Sequence, residues 1–479
     1  MKKKSIKRFV WAAMSALCVC ACTILSACGA SQPKIKITIG MWQGSSVYDT
    51  DFYEEQIAAF EQAYPQYEIE SSPYVYDSET AVAKFASGQL PTLFEVDASR
   101  VRDAYRNGHI QDVASYLQSY GWLDKVDDFF LDEISDGARV YGVPAEQYAL
   151  GMVLNLPLLC SAGIIEQDEQ GEYILYDDLG EPLYPDTFAE ILAASETIVD
   201  HSSKKIYSAM FPSGDADSGK LFMDIAYNFG CGALEQCDAE GNWSLVLDTD
   251  EFGDAMRWVR SMSQEGYADD SKAYGVEDWA AAMAQNAIAF AFCQSNSLST
   301  ALAAEPSLNG NIAFVPMPVA EGEESSSAWN GTVFAVNSRA DREQTEGAFL
   351  FLQFMGYGPD TDEHSFSVLE YGFSARNRQG DPVFPVLSVW QDAAYEEKLQ
   401  GIYLQYANVN ATYIREFYRG FDGRRRASEP YACTELYLLM DSLFDNMLFN
   451  ATTSNIVTLI EEGEREFTER YLSRIGAEG

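Results

Sequence analysis

Acid–base, nucleophilic and metal chemistry each require particular side chains at particular spacings, and this chain supplies few of them. Its three histidines, His109, His201 and His364, lie far apart and lack the short spacing by which two imidazoles share a helix face and a metal ion. The phosphate-cradling pattern GxxxxGK[ST], the dinucleotide pattern GxGxxG, the zinc pattern HExxH and the serine elbow GxSxG are all missing. Paired carboxylates could in principle split a glycosidic bond, but in a chain with 73 acidic residues such pairs carry no signal. No enzyme activity, metal or cofactor is therefore expected. The basic run Arg424 to Arg426 has two readings, an anion site or a surface paired with the chain's own acids, and the acid excess favours the second.

The cysteines divide into two sets. Cys18, Cys20, Cys22 and Cys28 lie near the start; Cys160, Cys231, Cys237, Cys293 and Cys433 are scattered over the remainder. Five thiols cannot form a complete disulfide framework. Cys231 and Cys237 could close a small loop, with free thiols expected for most of the five. At the start, Lys2, Lys3, Lys4, Lys7 and Arg8 precede an uncharged, mostly apolar run from Phe9 to Ala27, the pattern of an export leader. A permanent membrane anchor would explain the run but not the four residues that close it, Leu25, Ser26, Ala27 and Cys28. These resemble the lipobox of bacterial lipoproteins. The resemblance implies cleavage before Cys28, a diacylglyceryl thioether on its sulfur, and a mature chain tethered to the outer side of the cytoplasmic membrane. Two acyl chains hold durably where one would not.

Charge narrows the partners. The chain has a formal net charge of −41, and losing the five leader cations would leave about −46. Nucleic acid and anionic lipid would be repelled rather than bound. With 47% hydrophobic residues in 479, there is material for two or more cores.

The elements that must position any site alternate. "IKITI" from Ile35 reads as a strand, "FYEEQIAAFEQAY" as a helix, "EIESSPYVY" as a strand, "SETAVAKFASG" as a helix and "PTLFEVDAS" as a strand. Such alternation predicts an α/β lobe with a largely parallel sheet, and in such sheets ligands lie beyond the carboxyl ends of strands. The middle of the chain carries a predicted hairpin around "DDLGEP", helices at "TFAEILAASETIVD", "GKLFMDIAYNFG" and "EFGDAMRWVRSMSQEG", and short buried strands at "AIAFAF", "IAFVPMP" and "GTVFAV". Trp243 and Trp258 fall within such elements and are expected to pack.

Five segments in order, "FASGQLPTLFEVD" (Phe85 to Asp97), "ARVYGVPAEQYALGMVLN" (Ala138 to Asn155), "PDTFAEILAASETI" (Pro185 to Ile198), "AAAMAQNAIAFAFCQSN" (Ala280 to Asn296) and the stretch from Ile312 to Met355, resemble extracellular solute-binding proteins of family 1. These are the carbohydrate-class receptors of ABC importers. The resemblance implies a two-lobed periplasmic-binding-protein-like fold of type II, with a ligand cleft between lobes joined by hinge crossings near 144–148, 329–332 and 373–376. Lobe 1 would comprise 35–145 and 331–374, and lobe 2 146–330 and 375–479, after a leader (1–27) and a tether (28–34). Thr92 stands where many relatives carry Asp, and "CQSN" where they often carry a Gly-rich turn.

Sugars present apolar C–H faces and hydroxyl rims, so their sites join aromatic platforms to planar hydrogen-bonding groups. On the loops that the resemblance turns toward the cleft, the expected ligand residues are Trp42, Glu95, Asp97, Ser99, Glu146, Tyr148, Asn296, Trp329, Asn330 and Arg376. The implied function is capture of a sugar or oligosaccharide by a monomeric, lipid-anchored receptor and delivery to the transmembrane subunits of an ABC permease. A sensory protein presenting its liganded form to a membrane histidine kinase or chemoreceptor would use the same closing cleft.

Overall fold

The computed structural model describes residues 33–40, 50–202, 206–473 and 475. It opens with the expected alternation: β1 (Ile35–Ile39), α1 (Thr50–Ala63), β2 (Tyr67–Ser71), α2 (Ser78–Ser87) and β3 (Leu93–Asp97). β1 lies parallel to β2 from Ile35↔Tyr67 to Ile39↔Ser71 and parallel to β3 at Ile39↔Leu93. Local chemistry sets the boundaries. The Asp77 carboxylate accepts from Thr80 N at the start of α2, and Gly88, in the left-handed region at φ 71°, ends it. A short helix, α3 (Val101–Arg106), follows.

The remaining labelled elements are β4 (Val143–Asn155), α4 (Phe188–His201), α5 (Ala216–Asn228), α6 (Asp250–Gln264), β5 (Phe290–Gln294), β6 (Ile312–Val315), β7 (Ser327–Val336), α7 (Glu363–Gln379), α8 (Ala393–Tyr406), β8 (Arg425–Arg426), α9 (Cys433–Phe449) and α10 (Ile456–Phe467). The strands follow the order β5-β4-β7-β3-β1-β2, with β6 also on β4 and β8 also on β7. β4 carries the chain from one lobe to the other. Its first half, through Ala149, pairs antiparallel with β7, and its second half, from Leu150, pairs with β5 and β6. Gly151 permits this crossing, because a Cβ there would lie 2.6 Å from the Phe314 ring on β6.

Two groups of buried side chains follow. One gathers Phe60, Phe94, Trp122 and Phe349 under the first lobe and continues across the crossing strands. The other gathers Phe188, Phe222, Phe252, Trp258 and Phe444, where α5, α6 and α9 pack on the second lobe. The Trp258 N–H donates to Phe188 O at 3.0 Å, so this tryptophan packs as expected. The predicted hairpin forms only in part: Tyr173–Ile174 pairs back with Glu166–Gln167, and the Asp-Leu-Gly turn closes a single bridge, Tyr176↔Pro182.

Residues 373–376, the expected third crossing, lie inside the continuous helix α7. The chain remains on the first lobe at a bridge between Val126 and Trp390 and at the Lys125–Asp392 ion pair, 3.0 Å. It touches the second lobe again at Asn410 and Tyr413, both bonded to Glu172. Cys160, Cys231, Cys237, Cys293 and Cys433 are all free thiols. Among the described residues no helix is long and apolar enough to cross a membrane.

Candidate functional site

Alternation along three neighbouring strands assembles one polar face. Successive residues of a strand point to opposite sides of the sheet, so Glu95 and Asp97 on β3 share a side. The cross-strand partners Thr332↔Asp97, Thr332↔Glu146 and Asn330↔Tyr148 put Glu146, Tyr148 and Asn330 with them. Beyond the Thr332↔Glu146 pair the register shifts, Val333 pairing with Pro144, so Ala145 is the extra residue of a bulge next to Glu146.

The contacts are specific. Asn330 is 1% exposed; its amide donates to Asp97 Oδ2 at 2.5 Å and its carbonyl accepts Gly331 N at 2.8 Å. The other Asp97 oxygen accepts the backbone N–H and hydroxyl of Ser99, at 3.0 and 2.6 Å. Asn330 thus fixes the carboxylate from behind. Burial pushes the Glu95 carboxyl up to about 7, with the Glu146 charge adding to the effect. Glu146 reaches solvent, yet the protein wall around it raises its pKa, a rise opposed by the Arg376 guanidinium. Burial also lifts the Tyr148 phenol, and Asp97, Glu146 and Asp217 add to it.

Arg376 comes from α7 and lies 3.5 Å from Ser299 Oγ of the second lobe. From that lobe also come Asp217, in the first turn of α5, and Gln294, whose amide donates to it at 3.5 Å. A cavity of about 80 Å³ opens beside them, lined by Leu150, Pro212, Phe292 and Ser297 among others. Asn296 is exposed on the turn after β5. Most of the expected residues therefore converge from both lobes on one face, and Asp217 and Gln294 join them.

Trp329 is the correction. It is 2% exposed, its N–H donates to Gln147 Oε1 at 2.9 Å, and its ring meets Phe129 and Phe130 edge-on at 5.3 and 4.9 Å. It sits inside a ten-residue strand rather than on a loop, so it must point away from the face that its neighbour Asn330 joins. Trp42 and Cys28 lie outside the described residues. Among the described residues no three metal-ligating side chains come together.

A polar face set where two α/β lobes exchange strands is the arrangement of the two-lobed periplasmic solute-binding proteins. The model of the bacterial extracellular solute-binding protein family matches residues 44–356, and the chain belongs to that family. Solved structures share the fold at low identity. An ABC transporter solute-binding protein from Thermotoga lettingae, bound with alpha-D-tagatose, is 16% identical with a TM-score of 0.64, covering 91% of this chain and 99% of its own. A maltose-bound protein from T. maritima is 18% identical with a TM-score of 0.62, covering 91% and 99%. A protein from Mycobacterium tuberculosis in complex with glycerophosphocholine is 14% identical with a TM-score of 0.65, covering 92% and 98%. No curated protein sequence matches the chain.

Proposed function

We propose that this protein is a lipid-anchored receptor on the outer side of the cytoplasmic membrane that captures a sugar or oligosaccharide and hands it to an ABC permease. The observation that carries the reading is the polar face shared by β3, β4 and β7. It offers carboxylates and one guanidinium, groups that hydrogen-bond the hydroxyl rim of a saccharide, above the buried Tyr148. Asp217 and Gln294 from one lobe stand across from Glu95 and Asp97 of the other. A ligand touching both favours the closed arrangement over the open one, and that differential contact drives closure. The sugar ligands of several structural relatives support the same class.

The test is a thermal-shift screen of the purified chain against neutral mono- and oligosaccharides, uronates, sugar phosphates and polyamines. Ligand that binds only the native state raises the melting temperature. A neutral saccharide that raises it, confirmed by calorimetry, is the expected result; a polyamine as the sole hit would overturn the saccharide reading.

A further inference from the structure

A second concavity, of about 610 Å³, opens elsewhere on the molecule between the lobes. Helix α3 turns Arg102, Tyr105 and Arg106 toward it, residues spaced so that a helix presents them on one side. Arg139 and Tyr141 come from the short hairpin after it, and Tyr431 comes from the second lobe at the start of α9. Tyr431 is held there by Glu235, which accepts its backbone N–H at 2.8 Å, and by the Trp243 ring at 4.8 Å.

The charge is unusual for this chain. With 73 acidic and 32 basic residues, an arginine has every opportunity to find a carboxylate. Among the described residues, Arg102 and Arg139 make no ion pair, and Arg106 makes one half-exposed pair with Asp103 at 3.2 Å. Arg102 spends one N–H on the Asp132 carbonyl at 2.7 Å, which fixes its guanidinium and leaves other donors. Arg106 lies over the Tyr431 ring at 5.4 Å and Arg139 over Tyr105 at 5.9 Å. Asp136 lies in the lining, Asp103 pairs with Arg106 and Glu133 lies near Arg102, so what the groove offers is a cluster of guanidinium donors rather than a surplus of positive charge.

We propose that this groove is a second ligand site, for a small solute carrying a carboxylate or phosphate on a ring: an acidic sugar. Guanidinium groups match planar carboxylate and phosphate oxygens with paired N–H donors, and tyrosine faces accept the apolar side of a sugar ring. The site lies apart from the carboxylate-lined face on β3, β4 and β7 and stands whether or not that face binds a neutral saccharide. Because its walls come from both lobes, an occupant touches both.

The experiment is calorimetric titration of the whole mature chain with galacturonate and with glucose 6-phosphate, with galactose and glucose as neutral controls. Parent protein is compared with Arg139→Gln and Arg106→Gln, both exposed changes. At least one acid should bind, its affinity should fall with added salt, and each substitution should weaken it about tenfold. The melting temperatures of both variants should match the parent. Binding of neither acid overturns the site. So does binding that the two variants leave unchanged, which would move the acid to Arg376 in the other cleft; Arg376→Gln then identifies that outcome. Loss of acid binding in the arginine variants with any neutral-saccharide response retained separates this site from the first.

Discussion

Trp329 and Asn330 stand next to each other and do different work. The indole fills the core against Phe129 and Phe130, while the amide steadies Asp97 on the opposite side of β7. Truncating a buried tryptophan costs about 3–5 kcal/mol, so Trp329→Ala should lower unfolding stability by that order in a urea titration. A variant as stable as the parent would mean that the ring is not core. Glu95 gives a pH signature. Its carboxyl titrates at about 7 in the fold against 4.5 ordinarily, so the native state binds the extra proton between those values. Its contribution to stability is complete below about 4.5 and is lost as pH rises through about 7. The melting temperature of the ligand-free parent should therefore fall relative to Glu95→Gln between about pH 5 and pH 8; a pH-independent difference would remove the assigned shift.

At the scale of elements, the crossing strands are tied by one polar node. Arg425 on β8 is 7% exposed and pairs with Asp127 at 2.6 Å. It also donates at 3.2 Å to Gln147, the residue that accepts the Trp329 N–H. Gln147 in turn donates to the Ser388 carbonyl. The arginine run is thus an intramolecular tie: Arg424 donates to the Glu416 and Phe417 carbonyls and Arg426 covers the Tyr227 ring at 3.6 Å. Asp127→Ala leaves the buried guanidinium with Gln147 and the exposed Asp422 carboxylate, 3.4 Å away, so it should cost about 2–3 kcal/mol of unfolding free energy, below the full loss of a buried pair. A cost below about 1 kcal/mol would place the pair with ordinary surface bridges.

Much of this scale was legible in the sequence, because strand alternation, helix spacing and caps are local. The first five elements, helix α4 and the buried strands β5, β6 and β7 fall where the pattern puts them. What was not legible depends on where a strand begins. "GTVFAV" shows the apolar half of β7, but its polar start, Ser327 to Asn330, reads as loop, and that choice decided the direction of Trp329. Asp217 was hidden for a related reason: the helix expected from Gly219 begins at Ala216, so Asp217 stood outside it in the sequence, and only the folded chain sets it against Gln294. The helical state of 373–376 was not legible either, because nothing in "FSAR" distinguishes a hinge from the middle of a helix.

At the scale of the whole molecule, the two lobes share strands, β4 pairing with β7 in one half and with β5 and β6 in the other. A strong negative charge disfavours anionic lipid headgroups, so the proposed membrane attachment rests on the lipid at Cys28. Replacing Cys28 by Ala should abolish incorporation of a clickable fatty acid in cells and release the protein to the medium; a variant still labelled would place the lipid elsewhere.

The central claim is that the face formed by β3, β4 and β7 holds the solute, and Glu146 is its best probe, solvent-reached and set between Glu95 and Arg376. The measurement is calorimetric titration of the saccharide that emerges from the thermal-shift screen, against the parent and against Glu146→Gln, with melting temperatures recorded in parallel. Glu146→Gln should fold as the parent does and bind at least about tenfold more weakly, a loss of about 1.4 kcal/mol. Binding as tight as the parent's, in a variant equally stable, would contradict the account.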